Sequence, residues 1–286
     1  MKQVIIAKIR NESLEAQLGL LYEIFKDKSP GEDLEFNLYQ VEWICPLVIL
    51  PISAYINNTH SSYKLEDCKI KSYLQTMKFP VGVDSVDLFE QAISNGKSYI
   101  PITVLKQEAG ATRDKLETLF QEKISEILGN IKGAESAISY PITELVTNIF
   151  EHSKKDVGFI CAQIYPSKQY LDICIVDCGR GFAKTYKEER GIQLSDGEAL
   201  IAAMEGKSTK PDPENKRGTG IRTSKDIICK GLKTGKFILI SGSMGLVIDS
   251  NTENLVSFPQ FYWQGTIVAF RIPKPSNPID IYKFIR

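Results

Sequence analysis

Apolar positions recur along this chain at two spacings, and the spacing changes mark its elements. Residues 3–9 (QVIIAKI) read as a strand. Residues 13–27 read as a helix, because Leu14, Leu18, Leu21 and Phe25 fall three or four apart behind a Ser13 cap. Residues 34–38 predict a second strand, and Pro46 suits the first turn of a helix running to about Asn57. A helix over Val86–Ile93 and a strand over Tyr99–Leu105 complete an alternating α/β unit. Residues 111–131 predict a connector helix with Leu116, Leu119, Phe120, Ile124, Ile127 and Leu128 on one stripe. Such a stripe either packs on the rest of the chain or pairs with a second copy as a homodimer.

A second unit begins near residue 133. Its first helix is expected from Pro141 to about Ser153, followed by β-rich runs at Gly158–Tyr165 and Tyr170–Val176. Residues 196–205 look helical, whereas Lys207–Arg217 is polar, contains Pro211 and Pro213, and reads as a mobile loop. A helix from Thr219 to about Lys230 and strands at 236–241, 245–249 and 265–272 follow. The expected class is α/β (α+β), with units at 1–108 and 133–286 joined by a connector over 109–132. Helices on one face of a mixed sheet would make the second unit a two-layer α/β sandwich.

Composition narrows the classes. The chain has 286 residues, with 35 Lys plus Arg against 35 Asp plus Glu, so bulk charge suggests neither nucleic acid nor an acidic membrane as a partner. The apolar run near Trp43–Ile56 is broken by Pro46 and Pro51, and no run reaches membrane-spanning length. The first residues lack the apolar core of a secretory signal. The six cysteines include no CxxC pair and there are two histidines, so a zinc site is not expected. Several cysteines lie in apolar strand-like runs as small core residues, and a reducing cytoplasm is the expected location.

Three segments carry candidate chemistry. In the helix near Pro141, Glu144, Asn148 and His152 are spaced four apart and share a face, while Ile142, Leu145, Val146 and Ile149 share another. An Asn amide oxygen can ligate Mg²⁺ without saturating its charge, and a carboxylate one turn earlier could hold a water or accept a proton. The same spacing also suits a plain solvated helix face. Asp177 ends the apolar run YLDICIVD and is followed by Gly179 and Gly181. A carboxylate there can accept a hydrogen bond from an exocyclic amine while glycines let a flat base approach, although a simple turn uses glycine equally well. Gly218-Thr219-Gly220 precedes a helix, where free N–H groups can bind phosphate. No Walker pattern occurs in the chain.

The order of these segments within one unit resembles the N, G1 and G2 boxes of the GHKL ATPase superfamily. That group includes gyrases, MutL-type repair proteins, heat-shock chaperones, sensor histidine kinases and anti-sigma-factor serine kinases. Gln264-Gly265-Thr266, before a final β-run to Pro273, is similar to the closing strand of that family. The resemblance covers about residues 130–273 and implies a Bergerat-type fold binding Mg-ATP. It implies Mg²⁺ coordination by Asn148, a general-base or water-holding role for Glu144, and an adenine contact by Asp177. Gly179 and Gly181 would shape the adenine wall, Thr266 would support Asp177, and Gly218, Thr219 and Gly220 would lie at the phosphates. His152 would face the phosphates. Residues 183–217 would form a lid, with Lys207, Ser208, Thr209, Lys210 and Arg217 as candidate contacts.

The fold alone does not choose a chemistry. An autophosphorylating histidine kinase needs a phosphoacceptor His on a helix; here His152 lies in the pocket helix and His60 in a loop-like segment. The remaining classes are an ATPase or protein serine/threonine kinase, and a non-catalytic nucleotide-gated interaction module. The segment from Asp33 to Asn58 weakly resembles the core of STAS domains, in which a helix-start serine is phosphorylated; here Ile44-Cys45-Pro46-Leu47 stands at that place, with Ser53 further on. The pairing implies bacterial-type partner switching with a regulatory protein partner.

Overall fold

The computed structural model describes residues 2–8, 12–93, 98–129, 131–207 and 220–285. The chain is a mixed α/β protein with two sheets. The small N-terminal sheet contains β1 (Lys2–Ile5), β2 (Leu34–Asn37) and β3 (Ser62–Lys64), in that order and all parallel. Parallel neighbours need crossovers, which α1 (Leu14–Phe25) and α2 (Pro46–Asn58) supply. Ser13 caps α1 through its hydroxyl, which accepts from the Ala16 N–H at 3.1 Å. Residues Pro46 to Tyr55 of α2 are buried throughout, because this helix is wedged between the two sheets. Ser53 is fully buried and its hydroxyl donates to the Pro80 carbonyl at 2.5 Å, so it is closed to modification in this conformation. His60 is exposed beyond the end of α2.

Two short helices follow, α3 (Lys71–Thr76) and α4 (Val86–Ile93). Strand β4 (Tyr99–Lys106) comes next, but it does not join the first sheet. It pairs antiparallel with β5 (Val157–Tyr165) and forms one edge of the large sheet. The strand expected to close the first unit is therefore an edge of the second sheet.

Between β4 and β5 run α5 (Gly110–Leu128) and α6 (Ala134–His152). The apolar stripe of α5 packs within the chain: Leu116, Phe120, Ile124 and Leu128 are buried against β4 and α6. Helix α6 starts seven residues before the expected Pro141, which lies in its interior. Ala134, Ala137 and Ile138 extend its buried stripe upstream, and this burial outweighs the missing proline N–H.

The remaining elements are β6 (Tyr170–Asp177), α7 (Gly181–Arg190), α8 (Asp196–Met204), α9 (Gly220–Asp226) with a π turn at Ile227–Gly231, β7 (Lys236–Gly242), β8 (Met244–Ile248), β9 (Glu253–Ser257) and β10 (Trp263–Pro273). The large sheet has the order β4-β5-β6-β10-β7-β8-β9. Every pairing between its named strands is antiparallel, which corrects the expected mixed sheet. For three of these pairings the reason is local: β5–β6, β7–β8 and β8–β9 are hairpins with short connections, and short connections allow only antiparallel neighbours. In the last of these, the Asp249 carboxylate accepts from the N–H groups of Asn251 and Thr252 at 2.7 and 2.8 Å.

Both faces of this sheet are covered. Ile173, Ile175, Leu239, Val268 and Phe270 meet α5, α6 and α9, while Cys161, Cys174, Ile238, Ile267 and Ala269 meet the N-terminal unit. All six cysteines are buried. No described helix is long and apolar enough to cross a membrane.

Candidate functional site

A cavity of about 430 Å³ opens between α6 and the α7–α8 pair, above the centre of the large sheet. Its floor is Ile175 of β6, Val268 of β10 and Leu239 of β7. Phe182 and Tyr186 of α7 and Ala203 of α8 form one wall, and Glu144, Asn148 and His152 of α6 line the other. The volume falls in the range of a small-molecule site, roughly 300–1,000 Å³, and the lining mixes apolar side chains with polar ones.

Asp177 is the last residue of β6 and stands opposite Thr266 in the β6–β10 register. It is 3% exposed. Its carboxylate accepts from the Gly179 N–H at 2.7 Å, and the polar groups of Thr266 stand beside it. Burial still dominates and pushes its pKa up to about 7, with these neighbours pulling the other way. Sequence-distant Asp177 and Thr266 thus meet because β10 is inserted between β6 and β7.

The glycines around Asp177 are required by close approach. A Cβ at Gly179 would lie 2.5 Å from the Ser153 carbonyl oxygen, and Gly181 adopts φ +71° with its Cα against the Ser241 hydroxyl. Gly181 also opens α7, whose Phe182 N–H is accepted by the Ser241 hydroxyl at 3.2 Å. At the other end of the cavity Gly220 opens α9 directly against Glu144; a Cβ there would stand 2.1 Å from Glu144 Oε2. The start of α9 and the α6 carboxylate are therefore neighbours. Tyr140, one turn before Glu144, also lines this end, and burial with the nearby Glu144 charge raises its hydroxyl pKa.

His152 sits two turns beyond Glu144, about 12 Å along the axis by helical rise. It lines the end near Gly179 and Ser153, not the Gly220 end, and its Nε2 lies 3.8 Å from the Glu151 carboxylate. Of the expected lid, residues 183–190 lie within α7 and 196–204 form α8; Lys207 lines the cavity, and its carbonyl accepts from the Tyr186 hydroxyl at 2.5 Å. Ser208, Thr209, Lys210, Arg217, Gly218 and Thr219 lie outside the described residues. Among the described residues, no cluster of three or more His, Cys, Asp or Glu side chains forms a metal site; an Mg²⁺ site built mainly from an Asn oxygen, waters and phosphate has no such cluster to show.

Two residues at the site were not singled out from the sequence. Arg180 has a nearly buried side chain that donates to the His152 carbonyl at 2.7 Å and to Glu188 and Glu189 at 2.7 and 2.6 Å. It ties the end of α6 to α7, the two walls of the cavity. Trp263, 2% exposed, donates its indole N–H to the Asp177 carbonyl at 3.1 Å. Its position just ahead of the Gln264-Gly265-Thr266 segment was the one available hint. In comparisons with known proteins, no family model matches the chain and no characterised protein matches it significantly.

Proposed function

We propose that the cavity binds Mg-ATP and that the chain is a GHKL-type nucleotide-binding protein, acting as an ATPase or a protein serine/threonine kinase on a regulatory partner. The observation that carries this reading is Asp177. A buried carboxylate lines a ligand-sized cavity of mixed polar and apolar lining, opposite Thr266 in the strand register and followed by glycines that let the chain pack closely against Ser153 and Ser241. A buried carboxylate with a raised pKa in a ligand-sized cavity is a candidate binding group.

In this reading the adenine amine meets Asp177, and Ile175, Val268, Leu239 and Phe182 exclude water from the base. The triphosphate runs along α6 toward Gly220, where the glycine-opened start of α9 meets Glu144. Asn148, midway between, would hold Mg²⁺ through its amide oxygen, and the ion when bound offsets phosphate charge. Glu144 holds a water or accepts a proton at the phosphate end. His152, at the Gly179 end, then lies closer to the base than to the terminal phosphate. The N-terminal unit, with its parallel sheet and buried α2, is the STAS-like part of a partner-switching pair. Its buried Ser53 argues for a regulatory surface elsewhere than a phosphorylated helix start.

Two variants test the roles on α6. Asn148→Ala is expected to lose at least about tenfold in ATP affinity with Mg²⁺ and to be unchanged without it; calorimetric titration showing equal Mg²⁺ dependence in both proteins removes the metal assignment. Glu144→Ala is expected to bind Mg-ATP and to lose about 10²–10³-fold in phosphate release or transfer. Tight binding by the wild-type chain with no turnover would place the protein among non-catalytic nucleotide-gated modules.

A further inference from the structure

Trp263 fills a gap in the strand pairing next to Asp177. Strand β10 pairs with β6 from Thr266 onward, and its pairing with β7 is irregular between Trp263 and Ile267. Gly265 lies in that irregularity at φ +114°, so close that a Cβ there would stand 2.3 Å from the Asp177 carbonyl oxygen. Asp177 is the last β6 residue in register with β10, and the indole N–H of Trp263 donates to its carbonyl at 3.1 Å. A buried carbonyl without a donor is costly, so this bond holds the end of β6 in place.

The other edge of the indole belongs to the N-terminal unit. Phe25 of α1 packs edge-on against it at 5.2 Å between ring centres, and Tyr55 of α2 lies at 6.5 Å. Those two rings touch each other at 5.3 Å, and both touch Phe36 of β2 at about 6 Å. The Tyr55 hydroxyl donates to the Glu32 carbonyl at 2.8 Å, which ties the cluster to the loop before β2. One buried side chain therefore touches the core of the N-terminal unit and the backbone of the residue assigned to the base.

We propose that Trp263 is a positioning residue through which packing of the N-terminal unit sets Asp177, and hence the affinity of the cavity for its nucleotide. The proposal rests on the reading of Asp177 as the base contact. Coupling of this kind is reciprocal: a ligand of the N-terminal unit that alters this packing changes nucleotide affinity, and nucleotide changes that ligand's binding by the same factor.

The test uses the full chain and Mg-ATP. Trp263→Phe keeps an aromatic ring and removes the N–H; it is expected to weaken ATP binding about tenfold. Phe25→Leu removes the ring that packs edge-on against Trp263, and is expected to weaken binding about threefold in the wild-type background and not at all in Trp263→Phe. A merely structural role for either ring would give additive losses. Wild-type affinity in Trp263→Phe, or additive losses in the double variant, overturns the proposal. A second readout does not depend on how the first variant folds. The chain has two tryptophans, so Trp43→Phe leaves Trp263 as the sole indole, and its emission is expected to shift on ATP addition. Unchanged emission at saturating ATP overturns the coupling. Failure of the wild-type chain to bind ATP is a different result: it removes the nucleotide reading, and this proposal with it.

Discussion

Asp177→Asn is expected to weaken ATP binding by roughly a hundredfold while making the empty protein more stable at alkaline pH. The two effects have one cause. Burial raises the folded-state pKa of Asp177 from the ordinary 3.8 to about 7. The folded chain therefore binds a proton more tightly than the unfolded chain. The contribution of this group to stability is greatest below about pH 4, falls as pH rises toward 7, and levels off above that. A difference of about three pH units corresponds to roughly 4 kcal/mol at pH 8, as an upper figure for this one group. Asn has no charge to desolvate and recovers part of it. Thermal unfolding at pH 5 and pH 8 should show a larger drop for the wild type than for Asp177→Asn; parallel drops would mean that no strained carboxylate is buried there. A ligand amine favours the ionised form, so it pulls the Asp177 pKa down on binding. Adenosine, which does not itself titrate near neutrality, should bind more tightly at pH 8 than at pH 6 and release protons near pH 7. Asp177→Asn should lose that pH dependence.

The second large effect concerns the junction of the two units. Asp172 is 2% exposed and receives a bidentate pair from Arg271, Nε at 2.6 Å and Nη2 at 2.7 Å. The same guanidinium donates to the Glu12 carbonyl at 3.0 Å and lies 3.9 Å above the Tyr170 ring. It pins the segment entering α1 to strands β6 and β10. Asp172→Ala leaves Arg271 largely buried without its counter-charge and is expected to cost about 3–5 kcal/mol in urea unfolding. Replacing both partners by apolar residues of similar volume, as in Asp172→Leu with Arg271→Met, should recover most of that loss. A single variant as stable as the wild type would show that the pair contributes nothing to holding the units together.

Much of the local structure was legible in the chain. Helices α1, α2 and α4 begin where Ser13, Pro46 and Val86 predict, because caps, proline positions and three-to-four spacing are local signals. Elements with little buried surface escaped. In β9 only Val256 is even half-buried, as befits an edge strand with a single neighbour, so no alternation marks it. Helix α7 buries only Thr185 and Tyr186, and its polar run read as part of a lid. The start of α6 was misplaced because Pro141 outweighs a weak upstream stripe when the sheet beneath is not in view.

For the site the division is similar. A carboxylate ending an apolar run and followed by spaced glycines marks Asp177, Gly179 and Gly181 from composition and order alone. The four-residue spacing of Glu144, Asn148 and His152 puts them on one wall for the same local reason. The resemblance implied Thr266 beside Asp177, and the β6–β10 register places it there; tertiary structure alone decided that Gly220 abuts Glu144 and that His152 belongs to the opposite end of the cavity. It alone decided that β4 serves the larger sheet and that Trp263 and Arg180 brace the walls. Periodicity and turn chemistry are properties of neighbouring residues, whereas strand insertion and the partners of buried donors are set by which distant surfaces exclude water together.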